Sequence, residues 1–314
     1  MKIIHTLEAL PKEERYVFGM GFFDGCHRGH QAVFEAVKQI AKEKNARPGI
    51  LTFFPHPMTL LAPDIQVPLL ESMEEKWQDM EKAGMELVLC IHPTASFLAQ
   101  SAETFLQHLA AIPGLVGLVT GANFTFGKGA LGNSALLADH FQDTDMSVTI
   151  LPLRQAEGHS ISSTEIRKLI QAGELPAAAL LLGHSYRITG DVVHGFRRGH
   201  EALGFPTANL EVPSGRVMPP DGVYATYAEI EGQSYPAITN VGNNPTFGNE
   251  KKTIETFIFD FDSNIYGKSF TLEWVERIRE EMKFPSLDRL IAQIQKDIEK
   301  AKAILTQPCC SVKE

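Results

Sequence analysis

Gly21-Phe22-Phe23-Asp24-Gly25-Cys26-His27-Arg28-Gly29-His30 follows the apolar run Tyr16-Val17-Phe18-Gly19-Met20 and precedes a stretch in which Val33, Val37, Ile40 and Ala41 recur at helical spacing. A strand, a glycine-bearing turn and a helix start, in that order, turn free backbone N–H groups toward an anion beyond the carboxyl end of a parallel strand. Gly25 and Gly29 let the backbone turn tightly and let a ligand approach without a Cβ in the way. His27 and His30, three apart at the helix start, can aim two ring N–H groups at one phosphate. Donors so placed stabilise a pentacoordinate phosphorus better than the ground state. The segment therefore points to nucleotidyl transfer from ATP without a covalent intermediate. The bland alternatives are histidines that merely cap a helix, or a metal site; for zinc, no third ligand stands at a recognisable spacing.

Outward from this segment, apolar runs at Tyr16–Gly21, Pro48–Phe54, Met85–His92, Leu115–Gly121 and Ser147–Leu153 alternate with amphipathic helical stretches. Ser72-Met73-Glu74-Glu75 reads as a capping box opening a helix that Gly84 closes. Such alternation predicts an α/β domain, a doubly wound parallel sheet with helices on both faces. After Gly183 the texture changes to short β-rich runs, Tyr186–His194, Val223–Glu231, Ser234–Val241, Thr253–Phe261 and Ser269–Glu276, without intervening helices. These predict a small antiparallel β-barrel, followed by a C-terminal helix from about Ser286 to Leu305 with Leu290, Ile294, Ile298 and Ile304 on one face. The domain boundary is expected in the helical joint Ser162 to Leu182, giving domains 1–182 and 183–314 of the 314 residues.

A hydrophobic fraction of 44% and a charged fraction of 21% are ordinary for a folded soluble chain. The net charge of −9 argues against a broad nucleic-acid surface, which needs clustered Lys and Arg. No apolar stretch is long enough for a membrane span and no signal-peptide pattern opens the chain, so a cytoplasmic protein, a monomer or weak homo-oligomer, is expected. Cys26, Cys90, Cys309 and Cys310 form no metal spacing or disulfide framework. Gly127-Lys128-Gly129-Ala130-Leu131-Gly132 matches a dinucleotide fingerprint in letters only, being late in the sheet and lacking the downstream acidic residue, and no Walker A sequence is present. In Ile161-Ser162-Ser163-Thr164-Glu165-Ile166-Arg167, Ser162 and Glu165 suit a capping box. Arg167, one turn in, suits a bidentate hold on a leaving pyrophosphate.

Seven motifs in one order carry a resemblance. They are the H-x-G-H loop, Phe54-Pro55-His56-Pro57, Gly121-Ala122-Asn123-Phe124-Thr125-Phe126-Gly127, the Ser-Ser-Thr-x-Ile-Arg helix start, Leu203-Gly204-Phe205-Pro206-Thr207-Ala208-Asn209, Asn240-Val241-Gly242 and Pro245-Thr246-Phe247-Gly248. With them the chain resembles the prokaryotic bifunctional riboflavin kinase/FAD synthetase family along essentially its whole length. The resemblance implies that the first domain adenylylates FMN to FAD and the second phosphorylates riboflavin to FMN, both with ATP and Mg²⁺. It implies that His27 and His30 contact the α-phosphate. Gly21, Phe23, Gly29, Asn123, Ser163, Thr164 and Arg167 would bind the nucleotide and pyrophosphate, and His56 would lie near the flavin. In the barrel it implies Thr207 and Asn209 as Mg²⁺ ligands, Glu255 as the general base and Arg279 near the flavin or nucleotide.

Two departures stand out: Phe22 occupies a position where the family usually has Asn, and the segment Gly195 to Leu203 is a residue longer than usual, with His200-Glu201 after Gly199. The rival readings are a different H-x-G-H nucleotidyltransferase, or a chain whose barrel is a non-catalytic flavin- or RNA-binding regulator. The first leaves Thr207, Asn209 and Glu255 occurring together without a reason.

Overall fold

Tyr16, Phe18 and Met20 point to one face of a sheet and Val17 to the other, and all four are buried. This two-sided burial is what an interior parallel strand requires. In the computed structural model the described residues are 1–61, 67–193, 207–212, 214–243 and 252–306. The Gly195–Leu203 segment, Gly204-Phe205-Pro206, the Pro245–Gly248 motif and Cys309-Cys310 lie outside them. The chain divides into two compact units, Met1–Ser163 and Thr164–Glu314.

The first unit runs β1 (Lys2–Ile4), β2 (Tyr16–Met20), α1 (Arg28–Glu43), β3 (Arg47–Phe53), α2 (Pro57–Leu61), α3 (Met73–Lys82), β4 (Leu87–Ile91), α4 (Ala95–Ala99), α5 (Ala102–Ala110), β5 (Leu115–Gly121), β6 (Thr125–Phe126), β7 (Gly132–Asn133), α6 (Ser134–Phe141), β8 (Ser147–Leu151), β9 (Gln155–Ala156) and β10 (His159–Ser160). Its six-stranded sheet has the order β1-β4-β3-β2-β5-β8, every pair parallel. Phe105, Leu106 and Leu109 of α5 and Leu137 and Phe141 of α6 cover one face. Val33, Phe34, Val37 and Ala41 of α1 and Met80 of α3 cover the other. Fully burying a side chain such as Phe34 contributes roughly 2 kcal/mol. At Gly19 a Cβ would stand 3.0–3.1 Å from Val33, Ile50 and Val37, so the absent side chain lets α1 sit directly on β2.

All five strands read from the pattern are present within two residues of their expected ends. Within this six-stranded sheet the strand missed is β1, three residues long, which forms because it pairs with β4, Lys2 N–H reaching Glu86 O at 2.9 Å; the two-residue strands β6, β7, β9 and β10 outside it were not read either. The chain lays β3 and β4 on one side of β2, then crosses to place β5 and β8 on the other. The carboxyl ends of β2 and β5 therefore flank the switch point at which open α/β sheets bind ligands. The Gly127–Gly132 segment is a turn between β6 and β7, which pair antiparallel, and not a strand-to-helix junction, so its fingerprint lettering has no dinucleotide context. Among the described residues no helix is long and apolar enough to cross a membrane.

The second unit opens with α7 (Ser163–Ala172), whose first residue closes the first unit, and α8 (Leu175–Leu182). There follow β11 (Tyr186–Val193), β12 (Ala208–Glu211), β13 (Gly222–Ile230), β14 (Gln233–Asn243), β15 (Lys252–Ile258), β16 (Ser269–Arg279) and α9 (Leu287–Thr306). The strands close a barrel in the order β11-β12-β15-β14-β13-β16, all antiparallel, so no edge is left open. The interior holds Tyr224 and Trp274, packed edge to face at 5.1 Å, and a ladder of buried hydroxyls, Thr226 to Thr239 at 2.8 Å and Thr239 to Thr256 at 3.0 Å. Outside, Ile298, Ala301 and Leu305 of α9 pack on Val223, Ala225 and Ile278. α8 lies against β11 and β16, so the helical joint groups with the barrel.

Candidate active site

His27 occupies the N-cap of α1 with extended backbone, and its Nδ1 accepts the N–H of His30 at 3.3 Å. The capping reading of this histidine is thus correct, and it has a chemical consequence. An imidazole that accepts at Nδ1 carries its proton on Nε2 when neutral, so the cap selects the tautomer whose donor lies at the far end of the ring. The two rings stack, centroids 3.5 Å apart and 18° from parallel. His27 is 5% exposed and His30 half-buried. Burial, then the neighbouring His27, then Lys76 hold the His30 pKa well below the usual imidazole range, so His30 is a neutral donor at physiological pH.

Gly25 turns the loop at φ +85°, as its place in the sequence requires. Gly29 acts otherwise. It lies inside α1, and a Cβ there would stand 3.1–3.2 Å from the His27 ring, so the missing side chain makes room for that imidazole. Phe23 and Cys26 adopt positive φ, +58° and +37°, a strain of about 1–3 kcal/mol each that the surroundings must hold. The Phe23 ring is buried, edge-on to His30 at 5.1 Å and against Phe34, so it backs the histidine pair and leaves only its backbone for a nucleotide. Gly21 packs directly on that ring, with room for a Cβ only 3.1 Å from it.

The other expected residues of this unit gather at the same edge of the sheet. Asn123 is exposed just after β5, its Oδ1 close against Gly121. Ser163 donates its hydroxyl to the Asp24 carbonyl at 2.9 Å, joining the Ser-Ser-Thr segment to the loop 139 residues earlier. His56 follows β3 after a cis Phe54–Pro55 bond. Its Nδ1 accepts the Met58 N–H at 3.1 Å, and the Phe22 ring stands edge-on at 4.2 Å. Thr164 and Arg167 lie on α7 within the second unit, exposed and half-buried respectively.

In the barrel, strand register does what sequence spacing could not show. Asn209 of β12 pairs with Glu255 of β15, Glu255 with Asn240 of β14, Asn240 with Val223 of β13, and Val223 with Arg279 of β16. Paired residues share a face, so Asn209, Glu255, Asn240 and Arg279 form one row across the outer wall. At about 4.8 Å per strand, Asn209 and Asn240 are the direct neighbours of Glu255, whereas Arg279 stands three strands round the closed wall from it. Ile254, Thr256 and Ile258 are buried inside, which leaves Glu255 half-buried outside with Phe257. Burial alone raises the Glu255 carboxyl above the ordinary carboxylate range, which suits a base. Arg279 is less available than expected. Its Nε donates to the buried Asp297 at 2.8 Å and an Nη to the Glu280 carbonyl at 2.8 Å, with Phe284 beneath its guanidinium. Thr207 stands just before β12, half-buried.

Against this geometry, the sequence matches the FAD synthetase family over residues 10–165 and the riboflavin kinase family over residues 182–305. A relative from Bacillus subtilis strain 168, named bifunctional riboflavin kinase/FMN adenylyltransferase, is 36% identical over 309 residues, 96% of this chain and 97% of its own. One of the same name from Escherichia coli K12 is 34% identical over 296 residues, 94% of each. The chain belongs to the bifunctional riboflavin kinase/FMN adenylyltransferase family. A crystal structure from Streptococcus pneumoniae, described as a macrolide-efflux protein, shares the fold with a TM-score of 0.87 at 32% identity, over 96% of this chain and 98% of that one.

Three residues of the family member's first unit, Asp24, Glu71 and Lys76, escaped the sequence reading although all are buried. Asp24 accepts the Leu70 N–H at 3.0 and 3.2 Å through both carboxylate oxygens. Its signal was present, an acid between an aromatic pair and a glycine. Lys76 stands on the stripe of α3 that includes Met80, an apolar position filled by a cation. Cys26, Glu71 and Asp79 bring ligand atoms within 4.8 Å of one another, but the cation acting on Cys26 and Glu71 is the Lys76 ammonium. Asn240 in the barrel was quoted only as part of a motif, because nothing local indicates that it faces Glu255.

Glu71 supplies a pH signature. Burial pushes its carboxyl from 4.5 up to about 8, Lys76 acting in the opposite direction. The folded state then holds a proton that the unfolded state has released, so this group's contribution is fully present below about pH 4.5 and is lost as pH rises through about 8. Thermal unfolding of the parent chain should become easier between about pH 5 and 9 relative to Glu71→Gln, by a few kcal/mol at most. Parallel pH profiles of the two midpoints would show that the carboxyl is ionised throughout.

Proposed function

We propose that residues 1–182 adenylylate FMN and residues 183–314 phosphorylate riboflavin, so that one chain makes FMN and then FAD from two molecules of ATP. In the barrel the riboflavin 5′-hydroxyl oxygen bonds to the γ-phosphorus of ATP as ADP leaves, and Glu255 takes the hydroxyl proton. Asn209 beside Glu255, with Thr207 at the head of β12, forms an all-oxygen donor set suited to a hard cation that takes few protein ligands. A magnesium ion held by these residues would shield charge on the phosphate oxygens. Asn240, on the other side of Glu255, flanks the base. Arg279, through what its tie to Asp297 leaves over, borders the flavin end of the row.

In the first unit an FMN phosphate oxygen attacks the α-phosphorus of ATP and pyrophosphate leaves. His27 Nε2–H and the neutral His30 donate to the oxygens on which charge accumulates. Asn123 and Ser163 border the nucleotide at the carboxyl edge, with the backbone of Gly21, Phe23 and Gly29. His56 and Phe22 border the flavin side.

The observation that carries this reading is the stacked histidine pair at the switch point of the sheet, its tautomer set by the helix cap. The test is direct: the full chain is incubated with riboflavin, ATP and Mg²⁺ and the flavins are separated by chromatography. FMN should rise first and FAD follow. Conversion of supplied FMN with riboflavin left untouched would remove the kinase assignment, and untouched FMN would remove the adenylyltransferase assignment.

A further inference from the structure

We propose that Lys76 is a positioning residue for FMN adenylylation, its buried ammonium holding the Phe22 peptide and thereby the loop that carries His27 and His30. The proposal rests on the assignment of that histidine pair to adenylyl transfer made above.

Lysine is almost never fully buried unless its charge is met, yet Lys76 is 2% exposed. The α3 helix brings it there. Ser72 and Glu75 form the capping box expected from sequence, which sets the helix start, and Lys76 comes one residue later on the face that also buries Met80. Its Nζ donates to the Phe22 carbonyl at 2.9 Å and lies 4.0 Å from the centre of the Phe22 ring. One side chain thus grips both the peptide and the ring of a single residue. Thr52 Oγ1 of β3 donates to the same carbonyl at 3.2 Å, so the Phe22 peptide is held from two elements of the unit.

That peptide is where support is needed. Phe23, the next residue, and Cys26 both sit at positive φ, a conformation that persists only when neighbours over-determine it. The Phe23 ring is the edge against which His30 packs, so a slip at Phe22 passes directly to the histidine pair. Behind the loop the ammonium acts on Glu71 and Cys26, favouring their ionised forms against the burial that opposes them, and Glu71 also accepts the Gly25 N–H. The same ammonium is one of the influences that keep His30 neutral. The aromatic face of Phe22 is what the cation meets.

The test compares steady-state kinetics of both activities in the full chain for Lys76→Met, Lys76→Arg and the Glu71→Gln/Lys76→Met double variant. The double variant removes the ammonium together with the buried acid it acts on, and guards against unfolding caused by leaving that carboxyl without its cation. For a positioning role, both methionine variants lose about 10- to 100-fold in kcat of FMN adenylylation. KM for ATP and FMN stays within about twofold, riboflavin phosphorylation is unchanged, and Lys76→Arg recovers much of the loss. The proposal is overturned if a folded methionine variant keeps kcat within about threefold of the parent, if the loss is confined to KM, or if arginine does no better than methionine. His27→Ser/His30→Ala is assayed alongside: normal adenylylation in that variant would instead sink the histidine assignment itself.

Discussion

Replacing His27 with serine and His30 with alanine in the full chain should lower FMN adenylylation by about 10³-fold or more, because a single preorganised donor to transition-state charge is worth about 10²–10³. Riboflavin should still be phosphorylated at the parent rate. Serine is the informative choice at position 27. His27 caps α1 through Nδ1, and alanine there would cost about 1 kcal/mol of helix stability in addition to any chemistry. Serine restores an acceptor to the His30 N–H but cannot reach where the Nε2–H points, so capping and catalysis separate. The stacked geometry also predicts that the two single variants will not add up to the double, since each ring supports the other's placement. Flavin chromatography with FMN or riboflavin as the starting material reads both activities in one preparation. A double variant that still makes FAD at a tenth of the parent rate or better would show that the pair does not act on the reacting phosphate.

The second large effect belongs to the barrel. Glu255→Gln should lower riboflavin phosphorylation by about 10²–10⁴-fold, the usual worth of a positioned general base, while supplied FMN is still converted to FAD. Burial raises the Glu255 carboxyl, so its stability contribution is present below the ordinary carboxylate pKa and is lost as pH rises through the folded value. At neutral pH the parent therefore carries a desolvation cost that glutamine lacks. The inactive variant should unfold at the same temperature as the parent or a higher one, the trade of stability for function expected at a working carboxylate. In the parent, kcat/KM for phosphorylation should fall as pH drops through a value above the usual carboxylate range, because the base must be ionised to accept a proton. A variant that loses its kinase together with its thermal midpoint would show that Glu255 holds the wall of the barrel together and does not serve its chemistry.

The division of labour between sequence and structure follows from the range of the forces involved. Strand–turn–helix alternation, the Ser72–Glu75 capping box, the change to β-rich texture after Gly183 and the apolar stripe of α9 are encoded within a few residues, and each was legible in the order of side chains alone. So was the histidine pair, since two residues three apart at a helix start meet whatever the rest of the chain does. Two of the missed strands, β1 and β12, are three and four residues long and exist because a neighbouring ladder was there to complete. Only the tertiary structure brought Asn209 beside Glu255, whose partnership depends on the register of strands far apart in the chain, where a slip of one residue would turn every side chain to the opposite face. Only it buried Lys76 beneath Phe22, since whether a helical lysine meets water or a carbonyl is decided by what packs against the helix.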